Sequence, residues 1–174
     1  MSLTYIHPPS DPTVAEVIAR LRQGLEKLPE SWENVRSALG HGITPGELRG
    51  ITSEEYAALY KMATTLCNEG DFQNALIIGL QLVIHDPNAQ YTFLTGSCLQ
   101  RCGQLEQAVF MYALTIELDE FHAAAAFRLG ECLRTQDKLA EAKTLFEKAL
   151  DLSRGDFSRR ELLLMSEKAL KELS

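Results

Sequence analysis

The sequence predicts an all-α fold built as a tandem array of helix–turn–helix units. Three observations predict it. Small residues and turn residues recur at a constant long spacing. Apolar residues recur three and four positions apart within each segment, the spacing that places them on one face of a helix. Glycine or aspartate falls wherever one helix has to reverse into the next.

The repeat comes first in the argument. Three segments, Tyr56–Asn88, Ala89–Phe121 and His122–Gly155, align without gaps in their cores. Their turn positions are Gly70, Gly103 and Asp137, at steps of 33 and 34 residues. The small residue of each second helix, Ala75, Ala108 and Ala142, steps in the same way, as does that of each first helix, Ala63, Gly96 and Gly130. A helix–turn–helix unit with a period of about 34 residues is the tetratricopeptide repeat. Small residues at these positions let the two helices of a unit approach closely. Gly70 and Gly103 can adopt the positive φ that ends a helix in a tight turn, and Asp137 tolerates it at modest cost. The first repeat departs most: Gly79 stands where a bulky aromatic is usual.

The flanks complete the order of elements. Residues 1–12 include Pro8, Pro9 and Pro12 and read as a flexible lead-in. Residues 13–55 read as an N-terminal helical region and connection. There Val14, Val17, Ile18, Leu21, Leu25 and Leu28 form an apolar stripe, Ser31–Leu39 a short helix, and Thr52 to Glu55 the start of the next helix. Residues 56–155 hold the three repeats, and 156–174 a C-terminal capping helix, since a short array needs its exposed end covered.

Composition narrows the function classes. The formal net charge of −7 disfavours binding to phosphate backbones, so nucleic acid is not the expected partner. No apolar run reaches the ~20 residues that span a bilayer, and the longest, from Ala75 to Ile84, is interrupted by Gly79 and Gln81. The first residues carry no basic, apolar leader, and Cys67, Cys98, Cys102 and Cys132 fall within helical patterns, as reduced thiols in a cytoplasmic protein would. His7, His41, His85 and His122 are scattered. Cys98 and Cys102 share a helix face but have no further metal ligands near them in sequence, so buried packing is expected of them, with no metal and no cofactor. Neither a phosphate loop nor a nucleophile–base order is present, which argues against an enzyme.

What remains is a binding surface, the concave face lined by the first helix of each repeat. Counting along the pattern places Tyr60, Thr64, Cys67 and Asn68 there from the first repeat. Phe93, Ser97, Gln100 and Arg101 follow from the second, and Phe127, Glu131 and Arg134 from the third. Rings beside amides and charges suit an extended peptide, with pockets for its apolar side chains and polar groups for its backbone.

From His41 to Leu152 the chain resembles the class II chaperones of bacterial type III secretion. The resemblance rests on HGITPGELRGITSEEYAALYKMA before and into the first repeat and on LYKMATTLCNEGDFQNA within it. YTFLTGSCLQRCGQLEQAVFMY in the second repeat and GECL in the third complete it. The resemblance implies a cytoplasmic bacterial protein that holds hydrophobic translocator proteins before export, without ATP, with a PxLxP-type client segment in the concave groove. It implies Tyr60 as the best matched groove residue and Phe93 as the next, whereas Cys67 stands where the family often has an aromatic. It also implies a homodimer formed through the N-terminal helices. The competing expectations are a generic tetratricopeptide adaptor that clamps a C-terminal carboxylate and a scaffold subunit of a secretion apparatus.

Overall fold

The computed structural model describes residues 50–173. The lead-in, the stripe from Val14 to Leu28 and the short helix expected at Ser31–Leu39 lie outside the described residues. Among the described residues there are seven α-helices and no strand. The chain divides into two compact units, Met1–Pro87 and Asn88–Ser174.

In the first unit, α1 spans Ser53–Glu69 and α2 spans Phe72–His85. Thr52 starts α1 with a reciprocal cap. Its Oγ1 accepts from the Glu55 amide at 3.3 Å, and the Glu55 Oε2 accepts from the Thr52 amide at 2.8 Å. Two donors that the first turn would leave unpaired are thereby satisfied. The two helices pack against each other. Tyr56, Ala63 and Leu66 are the buried residues of α1, at the helical spacing of a single face.

The second unit contains α3 (Ala89–Arg101), α4 (Leu105–Leu118), α5 (Ala123–Thr135) and α6 (Leu139–Ser153). A single 3-10 turn at Phe157–Arg159 follows, and then α7 (Arg160–Glu172). The C-terminal helix therefore begins three residues later than a continuous helix from Phe157 would, and Phe157 itself is exposed. Helix α3 packs on α4, α4 on α5, α5 on α6 and α6 on α7. Buried threonines keep their hydroxyls satisfied: Thr115 Oγ1 donates to Thr92 Oγ1 at 3.0 Å, and Thr95 Oγ1 to the Tyr91 carbonyl at 2.8 Å.

One turn geometry recurs in all three repeats. The residue after each turn position sends its amide back five residues: Asp71 to the Leu66 carbonyl, Gln104 to Leu99 and Lys138 to Leu133, at 2.8, 2.9 and 3.0 Å. This is the Schellman closure, which requires a left-handed residue just beyond the helix. Gly70, Gly103 and Asp137 supply it with φ of 84°, 75° and 59°. The next residue then opens each second helix with nearly the same backbone: Asp71, Gln104 and Lys138 have φ between −89° and −85° and ψ of 63–66°.

Candidate functional site

The residues expected to line the surface fall on α1 in the first unit and on α3 and α5 in the second. On α1, Tyr60, Thr64 and Cys67 are partly buried and Asn68 is exposed. The Thr64 hydroxyl donates to the Lys61 carbonyl of its own helix at 2.8 Å.

The second unit shows how its part of the surface is assembled. Phe93 of α3 is half-buried between two rings, with its centroid 5.8 Å from Tyr112 of α4 and 4.6 Å from His122 at the start of α5. His122 is fixed in turn, because its Nδ1 accepts from the Ala125 amide at 3.1 Å and caps α5. Burial holds the His122 ring below the ordinary imidazole pKa, with Asp119 opposing and Arg159 reinforcing the shift. A neutral ring is what this cap needs, since only an unprotonated Nδ1 can accept.

Beside Phe93 runs a polar chain. The fully buried Tyr112 places its hydroxyl 2.8 Å from Gln100 Oε1 and 3.3 Å from Ser97 Oγ, and Ser97 Oγ itself donates to the Phe93 carbonyl at 3.0 Å. Gln100 Nε2 faces Glu131 Oε2 at 3.5 Å, which links α3 to α5. Glu131 also accepts from Arg128 at 2.8 Å. Gln100 and Glu131, residues of successive repeats, are thus brought together.

Other expected residues have different surroundings. Phe127 is only 4% exposed, and its ring lies 5.4 Å from Phe146 of α6. The count along the repeat placed it on the open face, and the structure places it in the contact between α5 and α6. Ala123, Ala125 and Ala126 of the same helix are buried as well. Arg134 is paired with Glu172 of α7 at 2.8 Å, with its guanidinium 5.8 Å from the Phe146 ring centroid. Arg101 is exposed at the end of α3.

Sequence reasoning missed Tyr112, Arg128, His122 and Glu172. Tyr112 falls at a second-helix position, where periodicity signals packing and says nothing of the phenol. Its counterparts in the other repeats are Gly79 and Phe146, so a hydroxyl at this position is a feature of the second repeat alone. Ser97 and Gln100, also of the second repeat, were the available signal. Arg128 stands three residues before Glu131, a spacing at which opposite charges meet on a helix.

Among the described residues no helix is long and apolar enough to cross a membrane. Among them, too, no group of three or more histidine, cysteine or acidic residues is placed to hold a metal ion.

The family model for the tetratricopeptide repeat matches residues 123–156, the third repeat. The chain is 29% identical over 111 residues to the low calcium response locus protein H of Yersinia pestis. That match covers 63% of this chain and 66% of the relative, just under two thirds of its length. It is 27% identical over 140 residues to the chaperone protein SicA of Salmonella dublin, covering 80% of this chain and 84% of the relative. The solved structure of the type III secretion translocator chaperone SycD of Yersinia enterocolitica is similar, with a TM-score of 0.69 and 25% identity. That similarity covers 74% of this chain and 97% of SycD.

Proposed function

We infer that this chain, a member of the tetratricopeptide-repeat chaperones of type III secretion translocators, binds an extended segment of a hydrophobic translocator protein and keeps that client soluble until export. Translocators carry long apolar segments that aggregate or insert into membranes when left free. A chaperone of this kind works by occupancy: it covers one segment, consumes no nucleotide and performs no chemistry. Its place of action is the bacterial cytoplasm, where clients await export.

The observation that carries the reading is the setting of Phe93. A half-buried ring, held on two sides by Tyr112 and His122, stands beside the polar chain of Ser97, Gln100 and Glu131. A rigid apolar surface next to fixed polar groups suits an extended peptide, which offers side chains and backbone amides in alternation. In this reading Tyr60, Thr64, Cys67 and Asn68 are the client contacts of the first repeat, and Arg101, Glu131 and Arg134 border the surface in the other two. Phe127 supports it from beneath. Residues 13–55 serve self-association into a homodimer. The carboxylate-clamp alternative is weakened by Arg134, whose guanidinium is already engaged by Glu172.

The test is co-expression with the hydrophobic translocators of the same secretion locus, followed by pull-down with the wild type and with Tyr60→Ala plus Phe93→Ala. A soluble complex with the wild type, lost in a double variant of unchanged circular dichroism, is the expected result. Failure of the wild type to bind or solubilise any translocator overturns the reading.

A further inference from the structure

The half-buried side-chain amide of Gln100 is held by the buried phenol of Tyr112. The equivalent positions are Cys67 in the first repeat and Arg134 in the third, and neither repeat has a phenol opposite. Tyr112 is fully buried, and its single hydroxyl proton goes to Gln100 Oε1, at 2.8 Å the shorter of its two contacts. Donation from Tyr112 assigns the oxygen end of the amide, because the two ends of a glutamine amide differ only in what they donate and accept. The nitrogen end then faces α5. One of its protons is directed at Glu131, over a long 3.5 Å, and Glu131 already accepts from Arg128 at 2.8 Å. Among the described residues of the second unit, the other N–H has no acceptor.

We propose that Tyr112 is a positioning residue for recognition: it locks the Gln100 amide with its N–H group toward the open face, where that group donates to a backbone carbonyl of the bound segment beside Phe93. This rests on the peptide-binding reading above and adds to it a polar, sequence-independent contact in the second repeat. Burial raises the phenol pKa far beyond the physiological range, so Tyr112 stays a donor and the amide keeps one orientation. A backbone contact of this kind tolerates varied client side chains, while the Phe93 ring supplies the apolar selection.

Two variants test it in the full chain. Tyr112→Phe keeps the ring against Gly96 and removes only the hydroxyl. Gln100→Glu keeps the acceptor for Tyr112 and replaces the amide donor with an oxygen. The probe is a short fluorescein-labelled peptide taken from peptides tiling the translocators of the same locus. Binding should weaken about three- to tenfold in Tyr112→Phe, the worth of one net hydrogen bond, and further in Gln100→Glu. The Gln100 side-chain amide protons, followed by NMR, should be distinct and persistent in the wild type and averaged in Tyr112→Phe. Wild-type binding matched by both variants overturns the proposal and leaves the chaperone reading standing. Amide signals unchanged in Tyr112→Phe also overturn it. A wild type that binds no tiled peptide removes both.

Discussion

Gly96 lies directly beneath the ring of Tyr112: a Cβ built on Gly96 would stand 2.9 Å from both Cδ1 and Cε1 of that ring. The third repeat repeats the arrangement, with Gly130 under Phe146 and the corresponding distance 2.8 Å. In the second and third repeats the aromatic of the second helix is thus seated on the glycine of the first, and the close approach expected from small residues takes this specific form there. Both rings are fully buried, so neither can swing away without opening the helix pair.

Gly96→Ala is therefore expected to destabilise the fold, since the added methyl falls inside the contact distance of a locked ring. Alanine normally favours a helix by about 0.8–1 kcal/mol over glycine, but overpacking of a tight core costs about 1–3 kcal/mol, and the second effect should win. Urea unfolding followed by circular dichroism is the check. A variant as stable as the wild type would show that the Tyr112 ring can shift at little cost. Because Tyr112 holds Gln100, peptide affinity should fall with stability.

The second-helix starts offer a gain instead of a loss. Asp71 opens α2 with its carboxylate accepting from the Asn74 amide at 3.2 Å, whereas Gln104 and Lys138 open α4 and α6 in the same backbone conformation with no side-chain cap. Gln104→Asp and Lys138→Asp should each stabilise the protein by about 0.5–1 kcal/mol, as an acidic cap satisfies a free amide and complements the helix dipole. A rise in thermal midpoint for each single variant, near-additive in the pair, is the expected result. No rise in either would mean that water already satisfies these amides as well as a carboxylate does.

The backbone of the repeats was readable in the sequence because it depends on residue types that few alternatives replace. Gly70, Gly103 and Asp137 were assigned to the turns from their spacing, and all three have the positive φ the turns need. Thr52 with Glu55 was readable as a helix start for the same reason, since a capping box is a local pattern. The lining of the surface was harder to read. Phe127 sits in phase with Tyr60 and Phe93, and periodicity could not tell that it would pack against Phe146 while Phe93 stays half-buried. Tyr112 acts through its phenol across the helix pair of its own repeat, and Glu172 acts from α7 on a helix distant in sequence. Periodicity reads the first as packing, and the second joins a repeat to the helix beyond the array.

The thiols make a further expectation. Cys98 and Cys132 are fully buried, while Cys67 and Cys102 are partly exposed. Desolvation pushes the Cys132 thiol up to about 11, with neighbouring Glu131 adding to the rise, so almost no thiolate is present at neutral pH. Under native conditions a thiol-specific reagent should label Cys67 and Cys102 and leave Cys98 and Cys132 untouched, with all four labelled in denaturant. Mass spectrometry of the labelled peptides identifies the sites. Rapid native labelling of Cys132 would mean that α5 and α6 separate readily.

The last prediction concerns acid. His122 caps α5 through an unprotonated Nδ1 and stacks on Phe93, and its pKa is lowered from 6.5, first by burial and also by Arg159, against an opposing pull from Asp119. A histidine with a depressed folded pKa binds its proton more readily when unfolded. Its contribution to stability is therefore complete above the unfolded value of about 6.5 and is lost as pH falls below it toward the folded value. Stability should decline over that window, with the Phe93 environment changing in step because the two rings are in contact. His122→Asn keeps a capping acceptor and removes the titration. In this variant the decline below about pH 6.5 should flatten, as followed by urea midpoints across a pH series. An unchanged slope would place the acid sensitivity elsewhere and leave His122 with a capping role only.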